Sequence, residues 1–221
     1  MLFDLRSRGR RTTVRGVYLA LAILMGGGLI LFGVGTGVGG GGLLNAFGSG
    51  SGASQNSAVS SQEKQALKAT RQNPTSPSAW AQLVQARWSS AGLGSNFNAA
   101  TGTFTASGKK ELAAATQAWQ RYLQLTNGSD PSGIAILAAR AYAMQGNYAG
   151  EASAWEIESA ANPGAVKGYE CLAASAYAAK QTRKADLALN KALSLTPKVQ
   201  RPILKQQIQT AKTQPTVAAS C

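Results

Sequence analysis

A unit of 34 residues that nearly repeats itself restricts this chain more than any other feature. Within residues 130–163, DPSGIAILAARAYAMQGNYAGEASAWEIESAANP, the side chains Ile134, Leu137, Ala138, Ala141 and Tyr142 recur at helical spacings and share one face. Gly146-Asn147 marks a turn. Tyr148, Ala152 and Trp155 then share a face of a second helix, and Asn162-Pro163 stops it, because proline disfavours helical backbone in the residue before it. Moving the unit forward by 34 residues lays Ala135 on Tyr169, Ala138 on Leu172, Ala139 on Ala173, Trp155 on Leu189 and Pro163 on Pro197. A period of this length, with small residues where helices cross and large ones beside them, describes a helical hairpin that buries its apolar face only by stacking on its neighbours. The predicted fold is an all-α helix-hairpin solenoid of about three repeats with a capping helix.

The repeats occupy residues 58–213. Ser60-x2-Glu63 reads as a capping box opening a short helix to about Gln72, with Ala66, Leu67 and Thr70 on one side. Asn73-Pro74 ends it. Trp80, Leu83 and Val84 follow on the first helix of repeat one, with Arg87 at the next position of the pattern. Its partner is delayed by the turn-rich residues 91–108, an insertion expected to form a surface loop, and then carries Leu112, Ala115, Trp119 and Tyr122. Repeat two uses Tyr142, Trp155 and Pro163, and repeat three uses Tyr169, Leu172, Ala185, Leu189 and Pro197. The tyrosine expected at Ala176 stands at Tyr177, which leaves the register around Gln181 open. A helix over residues 200–212, with Ile203, Leu204, Ile208 and Ala211 on one side, closes the stack, and residues 214–221 are expected to be a frayed tail.

Ahead of the repeats, residues 1–15 form a basic head with Arg6, Arg8, Arg10, Arg11 and Arg15. Residues 16–36 read as a membrane helix. Its charge-free core, residues 17–35, would span about 28 Å, close to the roughly 30 Å of a bilayer's hydrocarbon. The Val, Leu, Ile and Phe residues in it favour insertion by roughly 3–6 kcal/mol. The arginines would hold the head in the cytoplasm and put residues 37–221 outside. A cleaved signal containing Arg10-Arg11 is the alternative, but the run exceeds a signal core and no small-residue cleavage site follows. Gly33/Gly37, Gly35/Gly39 and Ala22/Gly26 are spaced to let another membrane helix approach. Residues 37–57 read as a Gly/Ser-rich linker, and Gly37, Gly39 and Gly42 in it lack the strand and helix a phosphate loop needs.

The chain has no histidine, so the commonest general base and metal ligand is missing. Neither an enzyme nor a cofactor or metal site is expected. Glu151, Glu156 and Glu158 read as a solvated helix face, and Cys171 and Cys221 as one buried thiol and one tail thiol rather than a disulfide framework. Charge is more informative. Residues 130–170 carry two basic and five acidic side chains, whereas 180–212 carry eight basic and one acidic, within a formal net charge of +13. A basic end attracts anionic partners, acidic proteins or envelope polymers among them. Nucleic acid is not expected outside a membrane.

The repeat units resemble the tetratricopeptide pattern, W-x2-L-G-x2-Y…A-x3-F…P. With FDLRSRGRRTTVRGVYL, AWQRYLQL and KQTRK leading into LTP, nearly the whole chain resembles bacterial, actinobacterial-type single-pass membrane proteins that carry an extracytoplasmic tetratricopeptide domain. The resemblance implies a plasma-membrane scaffold or chaperone-like adaptor for other proteins or peptide segments. A subunit of a membrane complex and a binder of anionic polymer are the alternatives. The face of the first helices would form the partner groove, at Ala81, Gln85 and Trp88 in repeat one and at Ile136, Arg140 and Met144 in repeat two. Trp88 is equally well placed to be buried under residues 91–108. Ala81, Gln85, Ile136 and Met144 replace the lysines and asparagines of the carboxylate-clamp type, so an acidic C-terminus is not the expected groove ligand.

Overall fold

The structure, a computed structural model, describes residues 52–131 and 133–221, with side chains from residue 58 onward. The basic head, the proposed membrane helix and most of the linker lie outside the described residues. Among those described, no helix is long and apolar enough to cross a membrane. They are mostly helical, as an all-α chain should be. The helices are α1 (Gly52–Gln72), α2 (Pro77–Ala91), α3 (Ala106–Leu125), α4 (Ala135–Met144), α5 (Tyr148–Ala161), α6 (Val166–Ala178), α7 (Thr182–Leu195) and α8 (Arg201–Thr210). From α2 to α7 each helix packs on the next in sequence, and α8 lies against α6 and α7.

The hairpin turns settle the register that the sequence leaves open. At the end of α4, Asn147 N donates to Tyr142 O at 2.9 Å and Gly146 N donates to Ala143 O at 2.9 Å, which together satisfy two carbonyls that the helix would leave unpaired. At the end of α6, Gln181 N donates to Ala176 O at 2.8 Å and Lys180 N to Tyr177 O at 2.9 Å. Each partner is displaced by 34 positions, so Tyr177 corresponds to Ala143 and not to Tyr142. The left-handed residue of the first turn is Gly146 (φ 70°), and that of the second is Lys180 (φ 60°). A side chain in this region costs about 1 kcal/mol that glycine does not. Lys180→Gly should therefore raise stability by about 0.5–1 kcal/mol, read as a higher urea midpoint at unchanged slope.

The interior is built from alanines at helix crossings and a few large rings. Leu83, Ala115, Trp119, Tyr122, Tyr142, Trp155, Leu172, Ala185 and Leu189 are buried. Trp80 and Tyr169 are half-buried and anchored through their polar tips: Trp80 Nε1 donates to Pro74 O (2.9 Å) and Tyr169 Oη to Ser159 O (3.3 Å). Pro163 and Pro197 are exposed just beyond α5 and α7, where they act on the backbone rather than in the core. Asp130 ties α3 to α4, since Tyr122 Oη donates to its Oδ1 (2.8 Å) and Ala135 N to its Oδ2 (2.6 Å).

One expectation changes and another gains detail. The first helix runs from Gly52, so Ser60 lies inside it and is no cap. Residues 91–108 are mostly exposed, as a surface insertion should be, and carry local structure of their own. They form a short antiparallel pair, β1 (Phe97–Asn98) with β2 (Thr103–Phe104), whose two phenylalanine rings meet edge to face at 5.2 Å between centroids. The loop backbone crosses the start of α3 so closely that a Cβ at Gly108 would stand 2.1 Å from Asn96 O. Arg87 holds this end together through Glu63 of α1 (2.8 Å) and Glu111 of α3 (2.6 Å).

Candidate partner-binding surface

The six groove residues divide between surface and core. Gln85 and Met144 are exposed, and Ile136 and Arg140 are half-buried on α4, whose neighbour α2 carries Gln85. No hydrogen bond or ion pair joins these four among the described residues. Ala81 is buried in the main core and cannot contact a partner. Trp88 is half-buried and packs, as Phe104 of the insertion does, against a satellite core of Ala91, Leu112, Ala115 and Ala141. Beside Met144, Gln145 Nε2 donates to Ala141 O (2.8 Å) and to Leu112 O (3.2 Å), pinning the end of α4 to α3.

The corresponding face of the third hairpin is closed by the chain itself. Cys171 to Tyr177 are seven consecutive buried residues, so α6 has no solvent face for nearly two turns. One side meets α5, another meets α7, and the remainder is covered by α8 and a 3-10 turn, Pro215–Ser220, that also touches α4. Ala218 of this turn is fully buried. Cys221 is joined to Cys171 by a disulfide across a sequence separation of 50, and Lys212 Nζ sits 4.2 Å from the centre of the Tyr177 ring. The reading of two free thiols and a frayed tail is thus corrected: the segment is a docked, covalently closed strap. Residue spacing could not reveal the pair, because neither cysteine has a local partner and the geometry that joins them belongs to the folded stack.

The second correction concerns Glu151. Rather than lying on a solvated face with exposed Glu156 and half-buried Glu158, it is only 1% exposed. Burial pushes its carboxyl up from an ordinary 4.5 to about 8, a rise that the nearby Trp155 indole offsets only in part. Neither Glu151 Oε2 nor Trp155 Nε1 reaches hydrogen-bonding geometry with any partner. The signal was present in the repeat. Glu151 falls on Ala185 in the next unit and, four residues before a tryptophan, on Ala115 in the previous one, both of which are fully buried. Elsewhere, burial and the Asp186 carboxylate, which accepts a hydrogen bond from Tyr177 Oη, raise the Tyr177 phenol. Burial raises Tyr142 as well, opposed by a hydrogen bond from Gln120 (3.3 Å). Among the described residues, no three of His, Cys, Asp or Glu are grouped to hold a metal ion.

What the geometry defines is a class: a helical domain in which each helix from α2 to α7 packs on the next, with exposed Gln85 and Met144 on α2 and α4 and a strap over α6. Comparison with family models, curated proteins and solved structures found no match for this chain.

Proposed function

We propose that the chain is a membrane-anchored, extracytoplasmic scaffold of the tetratricopeptide type, which holds another protein or a peptide segment on the first-helix face of its leading hairpins. The observation that carries this reading is the repeated turn, in which the same pair of backbone hydrogen bonds recurs 34 residues apart and gives α4/α5 and α6/α7 one shared unit. Such units present a surface by stacking rather than a pocket for chemistry. The disulfide between Cys171 and Cys221 supports an oxidising location, as disulfides persist outside the cytosol. Residues 16–36 would supply the anchor.

Gln85, Arg140 and Met144 are the residues to test, and Trp88 is left alone because it belongs to the core. A triple alanine variant of the full-length chain should keep its helicity and melting temperature and lose about fivefold or more of the proteins captured by crosslinking in intact cells. Capture at full yield by the folded variant would overturn the first-helix-face reading. The location has its own readout. Alkylation of the denatured chain after acid quenching of intact cells should find both cysteines blocked until a reductant is added, and two thiols free before reduction would contradict an extracytoplasmic domain.

A further inference from the structure

A second surface lies on the other side of the last two hairpins. Between α5 and α7, with α6 as its floor, runs a groove of about 650 Å³. Its centre is apolar: Leu172 and half-buried Tyr169 form the floor, and Leu187 projects from α7 with 64% of its surface exposed. An exposed leucine that lines the same groove as a ring and a second leucine leaves an apolar surface lacking a group from outside.

The charges around it are ordered. Lys184 is already engaged, since its Nζ lies 2.6 Å from Glu156 on the opposite wall. Arg183 makes no ion pair with any described carboxylate. Lys191 has none either, and its Nζ rests 5.8 Å from the centre of the Tyr169 ring. Arg183, Leu187 and Lys191 recur at intervals of four along α7, so a cation flanks the exposed leucine one turn before and one turn after it. The two cations are separated by about 12 Å along the helix at 1.5 Å per residue.

We infer that this groove binds an acidic amphipathic helix of another protein, seating an apolar side chain between Leu187, Tyr169 and Leu172 and placing carboxylates on Arg183 and Lys191. A cation at each end of an apolar centre calls for a ligand with an anion at each end. A helical segment supplies this with two acidic residues about eight positions apart and a leucine or phenylalanine between them on the same face. A single-chain lipid carries its charge at one end only and would leave one cation unpaired. Glu156 adds selectivity, because it holds Lys184 and repels a ligand whose acidic residue falls at mid-groove. The groove shares no residue with the α2/α4 face, so it stands whether or not that face binds a partner.

The test uses the full-length chain in neutral detergent and a fluorescent helical peptide with two glutamates eight positions apart and leucines between them. Anisotropy should show saturable binding that weakens as salt is raised. Arg183→Glu with Lys191→Glu should weaken it by about tenfold or more, and Leu187→Ser by roughly fivefold. The charge-matched pair Lys198→Glu with Lys205→Glu, exposed but outside the groove, should leave affinity within about twofold. Equal losses from both charge-reversed pairs would reduce the effect to net charge and overturn the proposal. So would full displacement of the peptide by dodecanoate at equal concentration, which would assign the groove to a lipid. Self-association in sedimentation velocity that is abolished by the Arg183 and Lys191 variant and unaffected by peptide would likewise overturn it, in favour of a second copy.

Discussion

Replacing Glu151 by glutamine is expected to flatten a fall in stability that the wild-type chain undergoes between about pH 4.5 and pH 8. The sign follows from linkage. Burial raises the folded-state pKa above the unfolded value, so below pH 4.5 both states keep the proton and the full stability is present. As pH rises the unfolded chain ionises first, and stability is lost until the folded carboxyl itself titrates near 8. At 1.36 kcal/mol per pKa unit, the loss is on the order of 5 kcal/mol, a large share of the 5–15 kcal/mol typical of a small domain. Glutamine keeps the shape and cannot ionise. Urea midpoints at pH 5 and pH 9 should diverge for the wild type and stay close for Glu151→Gln, with all other titrating groups common to both. Parallel pH profiles would show that this carboxyl is hydrated or paired in solution.

The disulfide should contribute a similar amount by a different route. Closing a loop across 50 residues removes freedom from the unfolded chain, worth about 4 kcal/mol in the chain-entropy model. Cys221→Ser with Cys171→Ala is the suitable pair, because a serine at position 171 would add the separate cost of a buried hydroxyl. The expected outcome is a urea midpoint lowered by the equivalent of about 4 kcal/mol, with early hydrogen exchange at Val217 and Ala218 and along the strapped side of α6. Reduction of the wild-type chain should reproduce the loss. If the midpoint does not move and the strap remains protected, its packing on α6 is sufficient without the covalent bond.

The difference between what was readable in the residues and what was not is visible in neighbouring positions. Asn73-Pro74, Asn162-Pro163 and Thr196-Pro197 close helical segments, because proline acts on the residue next to it. Trp119, Tyr122 and Trp155 are buried as their spacing demanded. Trp88 suits either setting by its spacing, and only the fold packs it against Ala91, Leu112, Ala115 and Ala141, the cluster that Phe104 of the insertion also meets. Tyr177 appeared misplaced by one position because only the hydrogen bonds of the following turn reveal where the repeat boundary lies. Glu151 looked solvated because a charged side chain on a helix usually is.

The sequence by itself determined the helical segments, the turns between them and the 34-residue spacing, all of which depend on interactions between residues a few positions apart. Only the tertiary structure decided which faces remain open. Whether α6 offers a surface depends on residues 215–221 returning from 50 positions away to cover it, and whether Arg183 and Lys191 find carboxylates depends on which acids the stack brings within reach. Those outcomes are set by packing between elements distant in the chain, for which local periodicity carries no record.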